Sequence, residues 1–118
     1  LVSSGISSSS VENVRRNLDG HGFGGDSFKY HVGWFQDTLP TAEIGPIAML
    51  RLDGDLSEST QVCLEHLFDH GVPGGCIILD DYPLVGSRKA WDEFCAAVGV
   101  KLEPVIACDT GADYFRIP

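Results

Sequence analysis

Hydrophobic and polar positions along the chain follow two patterns, one typical of buried strands and one typical of amphipathic helices. The run Ile47–Leu52 is apolar except for Arg51, and an Asp-Gly-Asp tripeptide at 53–55 follows it directly. A second apolar run, Cys76–Leu79, leads into Asp-Asp-Tyr at 80–82. Between them, apolar residues recur at helical spacing. The sequence therefore predicts a strand–helix–strand unit whose two strands both end in carboxylates.

The same patterns predict the remaining elements, and strands that alternate with helices indicate a mostly parallel α/β sheet. Residues 1–10 are rich in serine and are expected to be flexible, so one domain is predicted over 11–118. On the N-terminal side, we predict a serine-capped helix from near Val11 to Gly20 and a strand at Phe28–Phe35. A helix capped by Ser57 or Ser59 should run to about His70, where the segment 71–75 stops it and leads into the second acid-tipped strand. A helix capped by Ser87 should end at Gly99, followed by an antiparallel hairpin of 103–108 with 112–117.

Composition and charge narrow the class of protein. The chain has 118 residues with 43% hydrophobic and 21% charged, which is typical of one globular domain. Its net charge is -9, which disfavours binding to nucleic-acid phosphates and to anionic membranes. No apolar run approaches the roughly 20 residues of a membrane span, and the N-terminus does not resemble a secretory signal.

The four cysteines point to a reducing compartment. None of them has the Cys-x-x-Cys spacing of zinc or redox sites, and each lies among apolar residues. We expect structural thiols and a cytoplasmic location.

The acids at the two strand ends carry the candidate chemistry. Because the carboxyl ends of parallel strands meet at one edge of a sheet, the acidic side chains at 53–55 and 80–81 are expected to converge there. Converging carboxylates can hold a hard cation such as Mg²⁺ or accept a proton. Aspartates after strands also cap helices and form turns, so that structural reading stays open.

Four motifs, in order, resemble the macrocin-O-methyltransferase-like family. They are GWFQDTLP at 33–40, LRLDGD at 50–55 with EST at 58–60, PGG at 73–75 and DDY at 80–82. The resemblance extends from about Val11 to Pro118. Members of this family are magnesium-assisted O-methyltransferases of antibiotic and sugar pathways that use S-adenosylmethionine. The resemblance therefore implies a methyltransferase whose substrate is a small molecule with a hydroxyl group.

The resemblance also implies roles for individual residues. Asp53, Asp80 and Asp81 correspond to the magnesium ligands. The family's own base is a histidine from the half of the fold that this chain lacks. Independently of the resemblance, Asp55 is a candidate general base or an acid that supports the ligands, although it could equally cap the helix that follows it. Arg51, a charge within an apolar strand, is expected to point into the site or to pair with Asp53 or Glu58.

A cofactor role is implied for three residues near the start of the GWFQDTLP motif. Trp34, Phe35 and Gln36 follow the strand that borders the adenine pocket in related methyltransferases. Gln36 could donate to the adenine edge, and an aromatic ring could stack on it. Packing in the core is the alternative reading for Trp34.

The chain departs from the family at its N-terminal side. The family sheet is Rossmann-like, with strand order 3-2-1-4-5-7-6, and its first strand leads into the glycine-rich turn that holds the cofactor. No strand–Gly-x-Gly–helix pattern precedes Val11. We therefore expect the C-terminal half of such a fold, a partial Rossmann-like sheet that lacks the first two strands.

A partial sheet would leave the strand Ile47–Leu52 with an open apolar edge. The predicted strand 28–35 could move beside it, another polypeptide could cover it, or two copies of the chain could pair across it. We expect a homodimer through this exposed edge.

Three functions are consistent with the sequence. The first is a truncated O-methyltransferase-like protein with a remnant magnesium site and little activity of its own. The second is an active magnesium-dependent O-methyltransferase that is completed by oligomerisation or by a partner. The third is a haloacid-dehalogenase-like phosphohydrolase, since that class also places Asp-x-Asp after a strand.

Overall fold

The computed structural model describes residues 9–54, 56–80, 82, 85–102, 106–107 and 112–118. The chain divides into two compact units, the first ending at Gly33 and the second running from Trp34 to Pro118.

The first unit contains helix α1, Val11–Gly20. Ser10 caps it, because the Ser10 hydroxyl accepts a hydrogen bond of 3.1 Å from the backbone N–H of Asn13. At the other end, the N–H of Phe23 donates to the carbonyl of Leu18 at 2.8 Å. The predicted helix and its serine cap are confirmed.

The predicted strand at Phe28–Phe35 is wrong. Residues 28–32 have no regular secondary structure, and a short helix, α2, spans Phe35–Thr38. The apolar side chains of this segment do not pack in a core, since Phe28 and Val32 are 39% and 72% exposed. A strand also needs a neighbour for its backbone N–H and C=O groups, and no strand of the described residues pairs with this segment.

The second unit is a mixed α/β sheet with helices in its connections. After α2, a 3₁₀ turn at Leu39–Thr41 leads into the sheet region. The elements that follow are β1 Ile47–Leu52, α3 Ser57–Leu67, a 3₁₀ turn Phe68–His70, β2 Gly71–Asp80, α4 Val85–Val98, β3 Ile106–Ala107 and β4 Ala112–Arg116. Within the described ranges, no helix is both long enough and apolar enough to cross a bilayer.

The strand order is β1-β2-β4-β3. β1 is parallel to β2, whereas β4 is antiparallel to both β2 and β3. This order matches strands 4-5-7-6 of the sheet that the family resemblance implies, and it confirms the parallel unit and the C-terminal antiparallel hairpin. The predicted turn at 109–111 lies outside the described residues.

The core lies on one face of this sheet. Leu50 pairs with Ile77, and Ile77 pairs with Phe115, so the three side chains form a row across β1, β2 and β4. Ile77 and Phe115 have no exposed surface. From α4, the Trp91 ring packs on Phe115 with a centroid distance of 4.3 Å, and Leu64 of α3 is also fully buried. Burial of these apolar side chains is the main stabilising term of the unit.

Two predicted helix caps are wrong. Helix α3 begins at Ser57 with Leu56 at the N-cap position, and no side chain caps it there. Ser87 lies inside α4, which begins at Val85, and it is only 2% exposed. Serine near a helix start is a local signal, and it did not fix the first residue of either helix.

The predicted stop at 71–75 is confirmed, because the helical segment ends at His70, but the glycine-rich segment is itself part of β2 and does not merely lead into it. The N–H of Gly74 donates to the carbonyl of Ile117, and the N–H of Ile117 donates to the carbonyl of Gly75, both at 2.9 Å. Gly74 adopts φ +81°, and the register between β1 and β2 shifts beside it. A Cβ at Gly75 would lie 2.9 Å from the carbonyl oxygens of Ala48 and Val72, so this close approach requires glycine.

Candidate functional site

The ends of β1 and β2 bring two predicted acids together. Leu52 and Leu79 are direct partners across the two strands, so Asp53 and Asp80 follow at the same level. Arg51 Nη2 lies 3.1 Å from Asp53 Oδ2 and also contacts Asp80 Oδ2. The two carboxylates therefore converge on a single nitrogen, and the predicted pairing of Arg51 with Asp53 is confirmed.

The charges of this group leave an excess of acid. One guanidinium faces two carboxylates, and the side chains of Arg51, Asp53 and Asp80 are 55%, 46% and 25% exposed. Ion pairs at such exposure contribute at most about 1 kcal/mol, because water screens them and the side chains lose freedom. Separating Arg51 from the two carboxylates therefore costs little free energy.

A hard divalent cation fits this donor set. Carboxylate oxygens from two neighbouring strand ends are the ligands that Mg²⁺ prefers, and the ion usually keeps water or substrate oxygens in its other positions. Among the described residues no group of three or more His, Cys, Asp or Glu side chains converges. The third predicted ligand, Asp81, and the candidate base Asp55 lie outside the described residues.

A cavity of about 130 Å³ lies beside Asp53. Its lining combines apolar side chains, among them Phe35 from α2 and Leu67 from α3, with Arg51 and Asp53. An apolar space with a few charged groups is the usual form of a small-molecule site. Phe35, a predicted cofactor residue, and Asp53, a predicted metal ligand, therefore line the same cavity.

The three predicted cofactor residues have different surroundings. Phe35 lines this cavity and is 40% exposed, whereas Trp34 is 72% exposed and Gln36 is exposed. The alternative reading of Trp34 as a core residue is wrong. Its backbone carbonyl accepts a hydrogen bond of 3.1 Å from the Thr38 hydroxyl, which closes the first turn of α2.

Cys63 forms an uncharged part of the cavity lining. Burial raises the pKa of its thiol to about 11, because the thiolate would lose its hydration. Burial also raises the pKa of Cys95, and the nearby Asp92 carboxylate adds to the effect. Cys63 and Cys95 thus have the character expected of structural thiols. Cys76 is half-buried, and Cys108 lies outside the described residues.

Two features of the site were not predicted from the sequence. Arg51 was expected to pair with one acid, but it contacts acids on two strands, and only the register of β1 against β2 reveals the second one. Gly54 lies against α3, since a Cβ there would be 3.0 Å from Ser59 Cβ. A glycine between two acids was the signal that the strand end approaches another element closely.

Several known proteins are similar to this chain in sequence or in fold. The family model described as Macrocin-O-methyltransferase (TylF) matches residues 4–117. The 8-demethyl-8-(2,3-dimethoxy-alpha-L-rhamnosyl)-tetracenomycin-C 4'-O-methyltransferase of Streptomyces olivaceus is 38% identical over 112 residues, which cover 95% of this chain and 42% of the relative. The mycinamicin III 3''-O-methyltransferase of Micromonospora griseorubida is 36% identical over 107 residues, or 91% of this chain and 42% of that protein.

A solved structure agrees with the sequence comparison. The O-methyltransferase NovP superposes with a TM-score of 0.86 at 39% identity, over 91% of this chain and 44% of NovP. This match confirms the predicted partial methyltransferase fold. The chain spans about two fifths of the length of the curated relatives it matches. By its sequence and its fold, the chain belongs to the macrocin-O-methyltransferase (TylF) family.

Proposed function

We propose that this chain carries the metal-binding, substrate-orienting end of a magnesium-assisted O-methyltransferase site, and that by itself it transfers methyl groups little or not at all. The observation that carries the proposal is the convergence of Asp53 and Asp80 on one point at the ends of two parallel strands. Ligands in open α/β sheets bind at this edge.

We assign a part of the chemistry to each candidate group. Asp53 and Asp80 would hold the cation, which would lower the pKa of a substrate hydroxyl. S-adenosylmethionine, when bound, would supply the methyl group to the hydroxyl oxygen and would leave as S-adenosylhomocysteine. The hydroxyl proton passes to a base, for which Asp55 is the candidate from the LRLDGD motif.

The size of the cavity supports low activity for the chain alone. Sites that enclose drug-sized molecules measure roughly 300–1,000 Å³. The cavity beside Asp53 measures about 130 Å³, and only Phe35 among the three predicted cofactor residues lines it. The alternative is an active enzyme in which a second copy or another polypeptide completes the cofactor pocket. The comparisons give no support to the phosphohydrolase alternative.

The names of the relatives point to a substrate class. One acts on a rhamnosyl-bearing tetracenomycin at a 4' oxygen, and another acts on mycinamicin III at a 3'' oxygen. We infer a hydroxyl group of a glycosylated small molecule as the acceptor.

Calorimetric titration of the full chain tests this proposal. With Mg²⁺ alone we expect measurable binding, because the carboxylates are already close together. With S-adenosylmethionine alone we expect no binding in the micromolar range, because the cavity is too small to enclose it. Micromolar binding of S-adenosylmethionine, together with methyl transfer to a sugar hydroxyl, would instead establish the active alternative.

The open edge of β1 supports a proposal for assembly. β1 is the terminal strand of the sheet in the described part of the chain, and Met49 on it is 64% exposed. We infer that two copies pair across this edge, since a bare apolar strand edge favours association. Light scattering after size exclusion should give twice the mass of 12.7 kDa. A single monomeric species at high micromolar concentration would contradict the homodimer.

A further inference from the structure

The side chain of Arg51 occupies the point at which the two candidate metal ligands meet. Arg51 belongs to β1, where its neighbours Leu50 and Leu52 are buried in the core. Its own side chain lies on the opposite face, across from Ile78, and extends to the carboxyl end of the strand. There one nitrogen, Nη2, contacts both carboxylates.

This placement gives the guanidinium two opposing effects on a divalent ion. It keeps Asp53 and Asp80 together when no metal is present, because without a cation the two carboxylates would repel each other. It also stands where a shared ion would bind, and its positive charge repels that ion. Since the Arg51 side chain is 55% exposed, it can move into solvent when the ion arrives.

We propose that Arg51 is an internal cation that holds the metal-free site closed and must leave before Mg²⁺ binds. The inference rests on the proposed metal site and goes beyond it, because it makes metal binding an exchange of one cation for another. The apparent affinity is then lower than the intrinsic affinity by the fraction of molecules in which Arg51 has left the site.

The exchange predicts that removing the guanidinium tightens metal binding. Removal of one unit charge roughly 6 Å from a divalent ion in a water-like medium changes the dissociation constant about tenfold. We therefore expect Arg51→Gln to bind Mg²⁺ about tenfold more tightly than the wild type in calorimetry, and Mn²⁺ likewise in electron paramagnetic resonance. Arg51→Lys keeps the charge and should bind with an affinity close to that of the wild type.

Arg116→Gln is the matched control. Arg116 is another exposed arginine of the sheet, and its Nη1 donates to the carbonyl of Gly74 at 3.1 Å. It pairs with Cys76, four positions before Asp80 on β2, which places it roughly 13 Å from the site along the strand. Its removal changes the net charge equally but should leave the metal affinity unchanged.

A spectroscopic measurement follows the side chain directly. The ¹⁵N–¹H signal of Arg51 Nε, assigned by its loss in Arg51→Gln, should shift as Mg²⁺ is added, while the Arg116 signal stays in place. Equal metal affinity in the wild type and Arg51→Gln, or an Arg51 signal that does not move while metal binds, would overturn the exchange.

The Asp53→Asn variant separates the two proposals. Metal binding that is lost in Asp53→Asn but unchanged in Arg51→Gln would leave the metal site standing and reject the exchange alone. No Mg²⁺ or Mn²⁺ binding by the wild type or by Arg51→Gln would reject the metal site and the exchange together.

Discussion

Replacing Phe115 by alanine is expected to lower the free energy of unfolding by about 3–5 kcal/mol, the cost of removing a fully buried aromatic ring. Phe115 has no exposed surface. It lies on β4 between β2 and β3, its ring packs on Trp91 at a centroid distance of 4.3 Å, and Tyr82 meets it edge-on at 5.5 Å. Urea unfolding followed by tryptophan fluorescence and circular dichroism measures the loss.

A phenylalanine outside the core provides the control for this prediction. Phe23 is 61% exposed, so Phe23→Ala should change the free energy of unfolding by less than about 0.5 kcal/mol. If Phe115→Ala does not fold, Phe115→Leu keeps much of the apolar volume and should show a smaller, measurable loss. A loss below about 1 kcal/mol for Phe115→Ala would mean that the row Leu50, Ile77 and Phe115 is not the centre of the core.

Replacing either converging acid by its amide is expected to weaken Mg²⁺ binding at least tenfold, or by about 1.4 kcal/mol. Asp53→Asn and Asp80→Asn each remove one of the two carboxylates proposed as ligands, and a neutral amide is a poorer partner for a hard cation. Calorimetric titration of the full chain with Mg²⁺ measures the change.

Asp69→Asn is the charge-matched control for this pair of variants. Asp69 is an exposed acid in the 3₁₀ turn 68–70, and its replacement should leave the affinity unchanged. The amide variants should also fold normally, because the ion pairs with Arg51 are exposed and contribute at most about 1 kcal/mol. An affinity for Mg²⁺ that is equal in the wild type and in both amide variants would contradict the assignment of Asp53 and Asp80 as ligands.

Local signals in the sequence were reliable where the interacting residue is close by in the chain. Helix α1 begins after Ser10, whose hydroxyl accepts from the N–H of a residue three positions later. Apolar runs that end in acids became β1 and β2, and alternate residues of these runs, Leu50 with Leu52 and Ile77 with Leu79, are buried on one face of the sheet.

Local signals failed where a distant element supplies the partner. The segment 28–35 alternates as a strand does, yet none of the strands that the structure describes pairs with it. The glycine-rich segment 71–75 was predicted only to lead into the second strand, but hydrogen bonds between Ile117 and Gly74 and Gly75 make it part of β2. Ser87 indicated a helix start, but packing placed it inside α4.

The sequence by itself determined the family, the strand–helix–strand unit and the acids at its tips, because motifs and hydrophobic periodicity are properties of neighbouring residues. Only the tertiary structure decided that Arg51 lies between Asp53 and Asp80, since the three residues come from two strands and meet through their register. It also decided that Phe35, and not Trp34, lines the cavity beside Asp53. Register and packing depend on contacts between residues far apart in the chain, and local patterns do not contain them.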